Sequence, residues 1–297
     1  MASFAARLTG FILRRTGAYR RMFAGGDAIA RTRTKLTADG IGPSAKQERG
    51  AAVRHEEFRG RCVWTIAPER GEVTATVLFW HGGGYVYPPL AGHWDFFSRM
   101  ARHFGWRIIV PLYPLAPESD AAATTRFALD FYADLVARDG APALMGGDSA
   151  GGGLAAATAM ALRDAKGAMP KGLLLICPWL DADPAHADQA AIEPRDAILT
   201  IAGVRDAGQL YAGDAGLRDW RASPIHGDWN GLPPILAFGG GDDILVTDAR
   251  RLKDKLPSVD YEELPGLIHD WPIFTFPESK SAQARMAGFA AKTGFKL

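Results

Sequence analysis

Residues 142–153 read Pro-Ala-Leu-Met-Gly-Gly-Asp-Ser-Ala-Gly-Gly-Gly, and this stretch decides the fold. The short apolar run at 142–145 suits a buried strand, and the Ala-rich stretch 150–166 suits a helix. Between them, Gly147-Asp148-Ser149-Ala150-Gly151 forms a G-x-S-x-G pattern. A serine on so tight a strand-to-helix turn is held in a strained conformation that presents its hydroxyl at the sheet edge. The flanking glycines are needed because strand and helix approach too closely there for side chains.

The same rhythm extends in both directions. Apolar runs at 73–80 (VTATVLFW), 106–110 (WRIIV), 172–177 (GLLLIC) and 234–238 (PILAF) are continuous rather than alternating. That is what parallel strands covered on both faces require. Stretches 120–138 and 247–256 read as helices between them. The expectation is an α/β chain, a mostly parallel central sheet with helices on both faces. Glycines at 82–84, 146–147 and 239–241 follow strands, at the sheet edge where ligands bind in such folds. Residues 1–50 and 181–220 break the rhythm and are expected to form a small helical cap. The catalytic body is then 51–180 with 221–297.

His81-Gly82-Gly83-Gly84 directly follows the strand ending at Trp80. Consecutive glycines let backbone N–H groups point into a cavity, as an oxyanion hole needs. The expected donors are Gly82, Gly83 and Gly84, with the N–H of Ala150 after the serine. No G-x-x-x-x-G-K-[ST] or helix-opening G-x-G-x-x-G pattern supports a phosphate cradle instead. A nucleophilic Ser149 needs a base and the base an orienting acid. In α/β-hydrolases the chain order is Ser, then Asp or Glu, then His. Of the downstream histidines, His186 falls in the cap stretch and His226 precedes the strand that should carry the acid. His269 is therefore the expected base. The acid should follow the strand at 234–238, where Asp242, Asp243 and Asp248 are all candidates. Asp270 is expected to lie too close in sequence to face the His269 ring.

These motifs make the chain similar to the hormone-sensitive-lipase-like family of bacterial serine esterases, over roughly residues 75–275. Tyr113-Pro-Leu-Ala-Pro-Glu118, Pro178-Trp-Leu-Asp181 and Ser223-Pro224 also resemble family stretches. The family's acid stands two residues before a Leu, which matches Asp243-Ile244-Leu245. The resemblance implies an α/β-hydrolase fold with a cap and a cofactor-free, acyl-enzyme hydrolysis of short-chain or compact carboxylic esters. Some relatives open small lactones, including monoterpene lactones, so a lactone hydrolase or amidase is the alternative, and a non-catalytic small-molecule receptor a more distant one. Tyr85, Tyr87, Trp179 and Tyr211 stand beside the oxyanion loop or the cap stretch and are expected to line a substrate pocket.

Composition excludes other classes. In 297 residues, 34 basic and 33 acidic side chains leave a net charge of +1, with no field for nucleic acid. No uncharged stretch reaches the ~18–20 residues of a membrane span. Two cysteines, Cys62 and Cys177, make no disulfide scaffold and suit a cytoplasmic protein. No C-x-x-C or H-E-x-x-H spacing suggests a metal. An edge strand near 261–264 allows a homodimer. The first 35 residues, however, hold eight basic side chains against one acid, Asp27. They read as a transit or membrane-surface segment, or as a helix whose Phe4, Leu8 and Phe11 or Ile12 face packs on the body; the latter is the expectation.

Overall fold

The computed structural model describes residues 2–38 and 42–293. Eight strands form one sheet: β1 Ala51–Phe58, β2 Arg61–Pro68, β3 Ala75–Trp80, β4 Trp106–Pro111, β5 Leu144–Asp148, β6 Gly172–Ile176, β7 Ile235–Gly240 and β8 Asp260–Leu264. Their order is β1-β2-β4-β3-β5-β6-β7-β8. β2 runs antiparallel to both neighbours, and every pair from β4 through β8 is parallel. β3, β5, β6 and β7 are buried throughout, as their unbroken apolar runs require. The outer strand β8 reads Asp-Tyr-Glu-Glu-Leu, and its acids pair with Arg250 and Arg285. Charged side chains of this kind blunt a sheet edge against pairing with other chains.

Helix Ala150–Asp164 lies against β5, β6 and β3 and is buried over almost its whole length. Helix Ala121–Asp139 packs on it and is capped by Asp120, whose carboxylate accepts from the N–H of Ala123. Helix Ala91–Phe104 lies against β2 and β4 and buries Trp94, Phe96, Phe97 and Met100.

Residues 4–38 form helices Phe4–Thr16, Ala18–Met22 and Asp27–Ala38, and the stretch 181–220 holds helices Ala187–Ile192 and Ile201–Ala212. These two segments interlock. One Arg20 Nη donates to the carbonyls of Glu193, Asp196 and Leu199 at 2.9, 2.8 and 3.2 Å. Gly203 sits against the Phe23 carbonyl so closely that a Cβ would come within 1.8 Å of its oxygen. The first helix corrects the sequence expectation. It packs through Ala6, Gly10 and the partly buried Leu13, while Phe4, Leu8, Phe11 and Ile12 are 73, 43, 56 and 49% exposed. Only the small side chains let this helix approach the body: a Cβ on Gly10 would already touch Ile268 at 3.2 Å.

Candidate active site

Ser149 sits between β5 and helix Ala150–Asp164 at φ 52°, ψ −121°, a region that costs a serine of order 1–3 kcal/mol. Hydrogen bonds hold it there. Its N–H donates to Ile176 O at 2.9 Å, and its carbonyl accepts from Trp179 and Gly152. The flanking glycines are dictated by contact. A Cβ on Gly151 would lie 1.9 Å from Trp80 O, and one on Gly147 would lie 2.3 Å from Gly151 C. β3 and the elbow thus touch backbone to backbone.

The glycine loop after β3 lies beside this turn. Gly83 and Gly84 adopt φ 122° and 64°, and the Gly83 carbonyl accepts from the N–H groups of Val86 and Tyr87. The N–H groups of Gly83, Gly84 and Ala150 have no acceptor among the described residues, and Ala150 opens a helix whose N-terminus favours negative charge. Gly82 departs from the expected donor set. Its N–H donates to Asp148 Oδ1 at 3.0 Å and so is already committed. The other Asp148 oxygen stands 2.9 Å from His93 Nε2, and His93 Nδ1 accepts from Leu90 N–H, which puts the ring proton on Nε2. Burial works against an imidazolium at His93, but Asp148 outweighs it and raises the His93 pKa. Burial keeps His81 neutral, pushing it down to about 3.

Of the three candidate acids, Asp243 is the one at the histidine. Its Oδ2 lies 2.8 Å from His269 Nδ1, and its Oδ1 accepts from Leu245 N–H at 2.8 Å. Asp242 instead pairs with Arg195 at 3.0 Å, and Asp248 accepts the N–H groups of Leu180 and Asp181. Asp270 contradicts the sequence expectation. It adopts φ 56°, ψ 24°, and this left-handed turn swings its Oδ2 to 3.1 Å from His269 Nε2. Burial disfavours a charged His269, but Asp243 and then Asp270 overcome it and raise its pKa well above the usual value. Burial pushes Asp270 itself up to about 7. Asp196, unremarked in the sequence, accepts from Ile198, Leu199 and Ile244 N–H groups beside this pair, and burial pushes it to about 7 as well.

Ser149 and His269 open onto one cavity of about 360 Å³, together with Gly83, His93 and Asp270. Its apolar wall comes from Tyr19 and Phe23 of the N-terminal segment, with Leu90, Ile198, Ile273 and Phe274. Ser149 Oγ makes no hydrogen bond to any described residue, His269 included; such contacts often tighten only around substrate. Tyr85, Tyr87, Trp179 and Tyr211 do not line this cavity. They are buried behind it, with Tyr85 stacked on Tyr211 at 3.4 Å and Tyr87 edge-on to Phe23. Their large rings pack behind the glycine loop, and the lining falls to Tyr19, Phe23, Leu90, Ile198 and the stretch after His269. Among the described residues one trio could ligate a metal, Cys177, Asp243 and His269 within 4.8 Å of one another. Two of its members are already hydrogen bonded to each other.

A family model described as the α/β-hydrolase fold matches residues 77–273. The chain belongs to that family. Relatives include an acetyl-hydrolase of Streptomyces hygroscopicus, 33% identical over 70% of this chain and 72% of the relative. An esterase of Acinetobacter venetianus is 30% identical over 81% of this chain and 79% of its own. Among solved structures, an esterase from the bacterial hormone-sensitive lipase family superposes with a TM-score of 0.82 at 28% identity, over 99% of both chains. This α/β-hydrolase is thus of the hormone-sensitive-lipase-like type, and among its described residues no helix is long and apolar enough to cross a membrane.

Proposed function

We propose that this α/β-hydrolase is a carboxylesterase that works through an acyl-enzyme on Ser149. The observation that carries the reading is one cavity faced by Ser149, by His269 with Asp243 on its far nitrogen, and by the glycine loop. His269 Nε2 takes the Ser149 proton as Oγ attacks the ester carbonyl carbon. The carbonyl oxygen becomes an oxyanion bound by the N–H groups of Gly83, Gly84 and Ala150. As the tetrahedral carbon re-forms its carbonyl, the alcohol leaves with the proton from Nε2. Water, deprotonated by the same nitrogen, then releases the acid and restores Ser149. Asp243 holds the ring with Nδ1–H toward itself and stabilises the imidazolium.

The likeness to an acetyl-hydrolase and to esterases supports ester chemistry. The cavity's modest volume and apolar wall support short-chain or compact esters. Residues 1–50 and 181–220 act as the cap, since Tyr19, Phe23 and Ile198 supply part of that wall. Both cysteines are free thiols, which suits a reducing, cytoplasmic setting. The test is hydrolysis of p-nitrophenyl esters with acyl chains of two to twelve carbons by wild type and Ser149→Ala. Activity that peaks at short chains and vanishes in Ser149→Ala is expected. Turnover that survives in the variant sinks the assignment.

A further inference from the structure

The first helix, Phe4–Thr16, presents four of its five large apolar side chains to solvent, and the fifth, Leu13, packs on the core. Phe4, Leu8, Phe11 and Ile12 recur at the spacing of one helical face, and all four are at least 43% exposed. Only one other large apolar side chain among the described residues, Leu210, is comparably exposed. The helix is nonetheless anchored. Ser3 donates from both its N–H and its hydroxyl to Glu278, Arg14 donates to Arg195 O at 3.0 Å, and Gly17 closes the C-terminus in the left-handed region. A folded, tethered helix that hides glycine and alanine and shows phenylalanine has its apolar face turned toward something outside the chain.

The charge around that face identifies the partner. Helical geometry puts Arg7 and Arg14 along one border of the apolar row and Arg15 within it near the C-terminal end. Arg7 and Arg15 are exposed, and no acidic side chain lies between residues 1 and 26. Phenylalanine, leucine and isoleucine on one face, edged by arginine, is the pattern of a helix lying in the plane of a lipid surface. We propose that this helix docks the enzyme on anionic phospholipid bilayers, its apolar row among the acyl chains and its arginines at the phosphates. A second copy of the chain fits the face poorly. A symmetric contact would set the same arginines against each other. The helix is also about 20 Å long, so its face offers about 200 Å² against the ~800 Å² per partner of a stable interface. The chain leaves the helix at Gly17 and runs directly into the segment that brings Tyr19 and Phe23 to the cavity. Ile268, against which Gly10 packs, is the residue before His269. Membrane seat and cavity therefore share one stretch of chain.

The full chain should be sedimented with vesicles of phosphatidylcholine alone and of phosphatidylcholine with about one-third phosphatidylglycerol. Binding at least about tenfold stronger to the anionic vesicles, and weakening as salt rises, is expected. Phe4→Ser/Phe11→Ser should lose that binding while still hydrolysing a soluble p-nitrophenyl ester, since both side chains are solvent-exposed. Arg7→Gln/Arg15→Gln should erase the preference for anionic lipid. Leu8→Ser/Ile12→Ser provides a second apolar pair should the first misfold. Equal binding to both vesicles, binding unchanged in both apolar pairs, or a dimer that dissociates in them while wild type ignores vesicles would overturn the proposal. A wild type that binds vesicles but hydrolyses no ester leaves the docking standing and removes only the esterase reading.

Discussion

His269 Nε2 stands 3.1 Å from Asp270 Oδ2, while its Nδ1 stands 2.8 Å from Asp243. The ring is held between two carboxylates in succession, one on each nitrogen. Only an imidazolium, or a neutral ring facing a protonated Asp270, satisfies both. In neither state is the Nε2 lone pair turned to Ser149, so in the proposed mechanism Asp270 competes with the serine for the base.

The pH profile carries this competition. A base works when neutral, so kcat/KM rises as pH rises through the His269 pKa. Asp270 favours the imidazolium and moves that limb upward in pH; Asp148, His93, Asp196 and the buried Cys177 thiol are the other titrating groups around the pair. Asp270→Asn, which keeps a residue suited to positive φ, should move the acid limb down by about one pH unit. A limb that does not move in p-nitrophenyl acetate kinetics would show that Asp270 exerts no hold on the base.

The three neighbouring acids should separate by kinetics and by stability. Asp243→Asn should lower kcat by about 10³–10⁴-fold, because the ring loses its orienting carboxylate. Asp242→Asn, which breaks a surface pair with Arg195, should stay within about threefold of wild type. Asp248→Asn should instead lower Tm, because it leaves the N–H groups of Leu180 and Asp181 facing a poorer acceptor. Steady-state rates and thermal melts of the three variants decide the matter.

Asp148 and His93 hold the glycine loop from behind. Asp148→Ala removes the acceptor of the Gly82 N–H and the partner of His93 together. With the loop loosened, kcat should fall by about 10²-fold, the scale of one lost oxyanion donor, while KM changes little. A fall confined to KM would place the pair in substrate binding instead.

Two glycine-to-alanine changes should have opposite signs. Gly151→Ala drives a methyl group into Trp80 O and should destabilise by more than about 3 kcal/mol. Gly288, inside helix Pro277–Lys292 with nothing near its missing Cβ, should gain about 0.5–1 kcal/mol on becoming alanine. Urea unfolding of both variants checks the pair.

The parallel half of the sheet and the elbow were legible because their signals are local. Unbroken apolar runs mark β3 and β5 to β7, and contact at the turn leaves no choice but glycine at 147 and 151. The hairpin β1–β2 was not legible. β1 is exposed along most of its length, so its sequence carries neither an apolar run nor a clean alternation. In the site, His93 escaped notice because its partner Asp148 lies 55 residues away. Asp270 reads as too close in sequence to face the ring, because an adjacent residue reaches back to it only from a left-handed turn, which an aspartate does not announce. The pocket aromatics went wrong for a related reason: sequence proximity to a loop says nothing about which side of it a ring fills. The first helix showed the right period, but the face to be buried was decided by how closely the backbone had to approach Ile268.

Arg20 joins two stretches of chain that lie more than 170 residues apart, through three carbonyls on the far one. Carbonyl acceptors report the path of the backbone and are indifferent to the side chains carried on it. At the three residues whose carbonyls Arg20 meets, the stretch 181–220 can therefore change its side chains, but not its course, without releasing the N-terminal segment. Anyone recombining this enzyme with a relative should move residues 1–50 and 181–220 as a matched set, because either one alone would meet a host backbone it does not fit.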